Sequence, residues 1–118
     1  GAAATTVAEA VGGTAVQLDV RDEATLVEMV RTTEAAHGAI DLFCSNAGFV
    51  TQAGVEESDE VLQALWEVHV MAHVYAARAV LPSMVERGWG RVITISSGAA
   101  LQGTRLGVSV YGASKLAG

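Results

Sequence analysis

The stretch IDLFCSNAG, at residues 40–48, decides the fold class. Its apolar first half is too short for a helix and is typical of a buried strand, and the Ser-Asn-Ala-Gly after it is typical of a turn. The stretch RVITISS, at residues 91–97, repeats the pattern of an apolar strand followed by small polar residues. Thr14–Val20 alternates apolar and polar residues, which predicts a third strand.

Helical patterns separate these strands. A helix is predicted over Ala2–Val11, a second begins at Asp22 and ends at Gly38, a long third begins at Ser58 and ends at Gly88, and a fourth includes Tyr111. Regular alternation of helices and strands predicts right-handed crossovers. We therefore expect an α/β fold, a doubly wound parallel sheet with helices on both faces.

The composition excludes several classes of function. The 118 residues carry a net charge of −6, whereas nucleic acids and anionic membranes are bound by clustered basic residues. No apolar run approaches the roughly 20 residues that span a membrane, and no signal peptide is visible. The single cysteine, Cys44, excludes an internal disulfide and is expected to be buried. These features favour a cytoplasmic protein with no membrane and no nucleic-acid partner.

Polar residues follow each predicted strand. Ligands of open parallel sheets bind beyond the carboxyl ends of the strands. We therefore expect Asp19, Asn46–Gly48 and Ser96-Ser97 to lie along one edge of the sheet.

Tyr111 and Lys115 are the candidate catalytic pair. Residues four apart share one face of a helix, so the ammonium group can lie near the phenol and stabilise its phenolate form. A tyrosine in this setting can exchange a proton with an alcohol or a carbonyl oxygen. Taken alone, Tyr-x-x-x-Lys is a weak pattern that chance surface pairs also produce.

The surrounding motifs strengthen the pattern. YGASK at residues 111–115 follows RVITISS, and upstream stand NAG at 46–48 and LDV at 18–20. This set, in this order and spacing, resembles the short-chain dehydrogenase/reductase (SDR) family across nearly the whole chain. The resemblance implies an NAD(P)-dependent oxidoreductase that interconverts a secondary alcohol and a ketone by hydride transfer. It also implies that residues 1–118 form the central part of a single NAD(P)-binding Rossmann domain.

The resemblance assigns the catalytic roles. Tyr111 resembles the acid/base of the family, and Lys115 the lysine that assists it and binds the nicotinamide ribose. Ser97 resembles the serine that orients the substrate oxygen, with Ser96 as the alternative.

The resemblance also assigns contacts to NAD or NADP. Asp19 corresponds to the carboxylate that accepts from the adenine amino group, and Val20 to a residue lining the adenine pocket. Asn46, Ala47 and Gly48 correspond to the turn beside the cofactor ribose, which Tyr111 and Lys115 also contact.

His69 departs from the family pattern. It stands where the family has the asparagine that helps to hold a water in a proton relay to the lysine. An imidazole can also donate and accept hydrogen bonds, but it is larger. Two interpretations remain open: His69 supports a modified relay, or it is a packed core histidine that slows turnover.

The glycine-rich turn that binds the cofactor pyrophosphate, Thr-Gly-x-x-x-Gly-x-Gly in the family, does not occur in these residues. We therefore expect an internal piece of a longer protein. The family strand order places two other strands between Thr14–Val20 and the remaining strands. Alone, the 118 residues are expected neither to fold stably nor to bind cofactor.

Other chemistries fit the sequence less well. His69 and His73 have a spacing that can hold zinc, but the metalloprotease pattern needs Glu where Val70 stands. Ser97 lacks the Gly-x-Ser-x-Gly context of a hydrolase nucleophile. An inactive truncated fragment or a non-catalytic family member is the alternative to an enzyme.

The loop at residues 98–110 is expected to form one wall of the substrate site. The expected substrate is a small-molecule alcohol or ketone. Leu101, Leu106 and Val108 suggest an apolar lining. The resemblance further implies a homo-dimer or homo-tetramer for the full-length protein.

Overall fold

The computed structural model describes residues 1–51, 54–101 and 109–118. Helices and short parallel strands alternate along the chain. The helices are α1 (Ala2–Val11), α2 (Glu23–His37), α3 (Asp59–Trp66), α4 (Ala72–Arg87) and α5 (Ser109–Ala117), with one π-helical turn (Glu67–Met71) and one 3-10 turn (Gly98–Ala100). The strands are β1 (Leu42–Ser45) and β2 (Arg91–Thr94).

Local capping residues set the helix ends, as the sequence predicts. The Asp22 side chain accepts hydrogen bonds from the first turn of α2, and the Ser58 hydroxyl accepts one from the first turn of α3. Gly12 ends α1 at φ 69° and Gly88 ends α4 at φ 70°, the left-handed conformation that glycine adopts without steric cost.

The two strands pair in parallel, which confirms the predicted α/β class. Leu42 lies opposite Arg91, and Ser45 lies opposite Thr94. The sequence predicts these strands over 40–44 and 91–95. The observed β1 begins two residues later and ends one residue later, and β2 begins at the predicted residue and ends one residue earlier.

The predicted strand at Thr14–Val20 is wrong for this structure. These residues form no regular secondary structure, and Val16 is exposed. A strand needs a partner for its backbone donors and acceptors, and the sheet within the described residues consists of β1 and β2.

The core lies between α2, α4 and one face of the sheet. Its buried members are Leu26, Val30, Ala76, Val80 and Met84, with Phe43 of β1 packed against them.

Burial alternates along β1. Phe43 and Ser45 face α4, whereas Leu42 and Cys44 point to the opposite, uncovered face. The expectation that Cys44 is buried is wrong, because its position in this alternation leaves it exposed.

The long predicted helix is interrupted by the π-helical turn at Glu67–Met71. The periodic pattern places Trp66 on the buried face, but Trp66 is half exposed. Leu65, His69, Ala72 and Ala76 are the buried residues in and around this turn.

The length and apolar character of these helices bear on whether any of them could span a membrane. Within residues 1–51, 54–101 and 109–118, none combines the length and apolar character that crossing a bilayer requires.

Candidate functional site

The carboxyl ends of the two strands lie side by side and define the site. The Ile95 N–H donates to the Ser45 carbonyl oxygen at 3.1 Å, extending the ladder to the last residue of β1. Asn46–Gly48 and Ser96-Ser97 leave the sheet at this shared edge, as the order of elements predicts.

Lys115 of α5 is buried at this edge, with only 6% of its surface exposed. Its ammonium group donates to the Ile95 carbonyl oxygen at 3.0 Å, and the Ser96 hydroxyl donates to the Lys115 carbonyl oxygen at 2.8 Å. Both ends of the lysine are therefore fixed to the segment that follows β2.

Gly48 brings the loop after β1 against this lysine. A Cβ added at Gly48 would lie 3.1 Å from His69 Nε2 and 3.2 Å from Lys115 Nζ. A side chain here would press on both groups, so glycine permits the loop to pack against them. The resemblance relates this glycine to the cofactor ribose, and the structure adds a packing role.

Tyr111 lies one helical turn before Lys115 and is half-buried. Its ring meets the His69 imidazole edge-on, with centroids 5.4 Å apart and an interplanar angle of 77°. Tyr111, Lys115, His69 and Gly48, four residues that the sequence predicts for one site, thus come together.

The two serines after β2 have different partners. Ser97 accepts from the Ala99 N–H at 3.2 Å and, together with Lys115, lines an open cleft of about 630 Å³. Ser96 lines the same cleft, but its hydroxyl hydrogen is directed to the Lys115 carbonyl. A Ser97 O–H remains able to donate into the cleft, which favours Ser97 over Ser96 as the residue that contacts substrate.

His73 and Ser45 extend the cluster beyond the residues predicted for the site. The Ser45 hydroxyl and His73 Nδ1 are 2.5 Å apart, and Ser45 is buried. Burial, followed by the positive charge of Lys115, lowers the pKa of both His69 and His73 below the ordinary value of 6.5. The i, i+4 spacing of the two histidines is the sequence signal that places them together.

Metal binding finds no support at this histidine pair. Across the part of the chain that the structure describes, no three His, Cys, Asp or Glu side chains are grouped to hold a metal ion. One ring nitrogen of His73 is hydrogen-bonded to Ser45 instead.

The two depressed histidine pKa values should make the fold acid-sensitive. The unfolded chain takes up protons at higher pH than the folded chain, so stability is complete above about pH 6.5 and falls below it. The slope is at most about 1.4 kcal/mol per pH unit for each histidine. Thermal unfolding of the whole protein between about pH 5 and pH 8 measures this.

Two variants check this prediction. His73→Gln should flatten the pH dependence, and His37→Gln, at an exposed position of α2, should leave it unchanged. Equal melting temperatures across that range for the wild-type protein would contradict the prediction.

Three of the residues predicted to contact the cofactor line a second, smaller cavity. Val20, Asn46 and Ala47 line a small cavity of about 170 Å³. Within the described residues, the Asp19 carboxylate accepts hydrogen bonds from the neighbouring Arg21 side chain, from Nη2 at 2.6 Å and from Nε at 3.0 Å. These hydrogen bonds from Arg21 lower the pKa of Asp19 to about 2.

The predicted substrate loop is described only in part. Leu101 is exposed, whereas Leu106 and Val108 lie outside the described residues.

A sequence model described as "short chain dehydrogenase" matches residues 2–118. The chain belongs to the short-chain dehydrogenase family. Among similar short-chain dehydrogenases, the NADP-dependent 3-hydroxy acid dehydrogenase of Shigella flexneri is 39% identical over 103 residues, which are 84% of this chain and 40% of that protein.

Solved structures of short-chain dehydrogenases show the same fold. A short-chain dehydrogenase from Streptomyces avermitilis superposes with a TM-score of 0.82 and 35% identity, over 89% of this chain and 39% of that one. The L-sorbose reductase of Gluconobacter frateurii was solved with NADPH and L-sorbose. It superposes with a TM-score of 0.83 and 31% identity, over 98% of this chain and 45% of that one. The chain thus has the Rossmann-type α/β fold of the family and spans less than half the length of these relatives.

Proposed function

We propose that the whole protein containing these residues is an NAD(P)-dependent oxidoreductase that interconverts a secondary alcohol and a ketone. The observation that carries this proposal is the buried ammonium of Lys115, one helical turn after Tyr111, in the wall of a cleft that Ser97 also lines. The relatives named as an NADP-dependent dehydrogenase and as a sugar reductase solved with NADPH support it.

The residues present fit a nicotinamide cofactor. Glycine at position 48 lets the loop at Asn46–Gly48 pack against Lys115, which brings the loop backbone and the ammonium group together at the place where the resemblance puts the ribose. Asp19, kept ionised by Arg21, offers carboxylate oxygens to the adenine amino group, and Val20 offers an apolar wall. When bound, the cofactor supplies or accepts the hydride.

The chain's own residues then handle the proton. In the reductive direction the Tyr111 hydroxyl donates its proton to the carbonyl oxygen of the substrate, and the Ser97 hydroxyl donates a hydrogen bond to the same oxygen. Lys115 stabilises the phenolate that is left on Tyr111. Because the ammonium group is buried, its charge acts through less water and is more effective than at a surface.

An inactive fragment or a non-catalytic family member is the alternative. All four residues of β2 are exposed, including Val92 and Ile93, so the sheet of these 118 residues is incompletely covered. We propose that the 118 residues alone neither fold stably nor bind cofactor. Cooperative melting of the purified 118-residue chain, with measurable affinity for NAD(P)H, would contradict this.

The proposed partners follow from the same resemblance. The whole protein is proposed to be a cytoplasmic homo-dimer or homo-tetramer that acts on a small alcohol or ketone. It is not expected to bind nucleic acid or membranes, because its net charge in these residues is −6.

A cofactor-oxidation assay tests the proposed function. The whole protein should oxidise NADPH or NADH in the presence of at least one ketone from a panel of 3-keto acids, keto-sugars and simple ketones. Oxidation that requires both protein and ketone supports the proposal. A correctly folded protein that binds neither cofactor would contradict it and favour the non-catalytic alternative.

A further inference from the structure

A chain of hydrogen bonds runs through His69 and connects the loop after β1 to helix α5. The Phe49 N–H donates to His69 Nε2 at 3.2 Å, and His69 Nδ1 lies 2.8 Å from the Ser114 hydroxyl oxygen. The Ser114 hydroxyl in turn donates to the Tyr111 carbonyl oxygen at 2.7 Å. Three separate segments are therefore joined through one imidazole.

The donors and acceptors of this chain fix the protonation of His69. A backbone N–H can only donate, so Nε2 must be the unprotonated acceptor. In the neutral ring the hydrogen is then on Nδ1, which donates to Ser114. Because the Ser114 hydroxyl donates its own hydrogen to the Tyr111 carbonyl, its oxygen is free to accept the hydrogen from His69 Nδ1. Every hydrogen bond of the chain then has one donor and one acceptor.

The same imidazole supports the Tyr111 ring directly. His69 is fully buried, and its ring lies edge-on against the phenol of Tyr111 and tilted against the ring of Phe49. His69 therefore holds Tyr111 at two places, the aromatic ring by contact and the backbone through Ser114. Packing of this kind restricts the rotation of both rings.

His69 lies in a π-helical turn that packs against α5. The turn spans Glu67–Met71, with His69 at its centre. Leu65 and Ala72 are buried on either side of the turn.

We propose that His69 and Ser114 form a positioning pair that orients Tyr111 for proton transfer, with both ring nitrogens of His69 engaged and unavailable as a proton relay. This inference rests on the proposed function, since it assigns a role relative to Tyr111. It replaces both earlier interpretations of His69, because the histidine is then neither a proton relay nor a passive core residue. It also assigns a role to Ser114, which the sequence motifs leave without one.

Removal of the Ser114 hydroxyl in the whole protein tests the pair. Ser114→Ala should lower kcat by about 10- to 100-fold, because a small misplacement of a catalytic group has effects of this size. The KM for cofactor should change little, since the bond from Lys115 to the Ile95 carbonyl does not involve Ser114. Ser114→Thr, which retains a hydroxyl, should recover most of the lost kcat.

Thr32→Ala is the matched control. Thr32 of α2 makes the same kind of bond from its hydroxyl to a carbonyl three residues earlier, that of Met29, but at an exposed position without a histidine. Its removal should leave kcat unchanged. An unchanged kcat in Ser114→Ala would overturn the proposal.

Nitrogen-15 NMR of His69 tests the geometry without turnover. The expected result is a neutral ring with the hydrogen on Nδ1, and a ring with the hydrogen on Nε2 would overturn the proposal. His69→Asn should lower kcat, because the shorter side chain cannot reach both Phe49 and Ser114. A wild-type protein that shows the Nδ1–H form but no turnover contradicts the proposed function while leaving the hydrogen-bond chain supported.

Discussion

Tyr111→Phe in the whole protein should lower kcat by about 10²- to 10⁴-fold, the range that general acid–base catalysis contributes. The substitution removes the hydroxyl that exchanges the proton and retains the ring that packs against His69. Stability and cofactor affinity should therefore change little. Steady-state rates of NAD(P)H oxidation, with melting temperatures measured alongside, check this prediction.

Tyr75→Phe is the matched control for this variant. Tyr75 is the other tyrosine of the chain and packs against the core between α2 and α4. Its loss of a hydroxyl should leave kcat within about twofold of the wild type, because its ring packs against the core and it belongs to none of the motifs proposed for the site. Equal rates for Tyr111→Phe and Tyr75→Phe would remove Tyr111 from the mechanism.

Lys115→Met should lower kcat by about 10²- to 10³-fold, the effect of removing one electrostatic group from a catalytic site. Methionine retains most of the apolar stem but loses the charge that stabilises the Tyr111 phenolate and the donor for a ribose. The KM for cofactor should rise as well, which distinguishes this variant from Tyr111→Phe. Lys115→Arg should restore little, because the planar guanidinium does not fit the place of a compact ammonium.

The pKa values of His69 and His73 report on the Lys115 charge and can be measured without substrate. Removal of the Lys115 ammonium should raise the pKa of His69 and of His73, since its positive charge is, after burial, the next cause of their lowered values. Arg31→Met, at an exposed position of α2, should leave both values unchanged. Unchanged histidine pKa values in Lys115→Met would show that the ammonium does not lie at the place described.

The sequence predicts well what depends on a few neighbouring residues. The caps at Asp22 and Ser58 and the glycine at Gly88 depend on local hydrogen bonds and backbone conformation, and the helices begin and end there. Short apolar runs similarly locate β1 and β2.

Features that depend on distant partners are less predictable. Thr14–Val20 has the alternation of a strand, but strand formation also requires a neighbouring strand. The apolar pattern predicts one continuous helix and does not indicate the π-helical turn at Glu67–Met71, and it places Trp66 on the buried face although Trp66 is half exposed.

In the candidate site, too, the motif residues are predictable from the sequence and the contacts between distant segments are not. Motif order predicts one site for Tyr111, Lys115 and Ser97. In the structure Lys115 and Ser97 line one cleft, and Tyr111 lies one helical turn before Lys115 on α5. The contacts of Ser114 with His69 join residues 45 positions apart, and those of Ser45 with His73 join residues 28 apart. Such pairs emerge only when the segments are folded together.

Transfer of a labelled hydride tests the central claim most directly. The whole protein is supplied with NADPH carrying deuterium at the transferable position and with the ketone that gives the fastest cofactor oxidation, and the product is analysed by mass spectrometry. We expect a secondary alcohol with one deuterium on the carbinol carbon from the wild-type protein, and almost none in the same time from Tyr111→Phe. Cofactor oxidation that leaves the alcohol unlabelled, or equal labelling by Tyr111→Phe, would contradict the account.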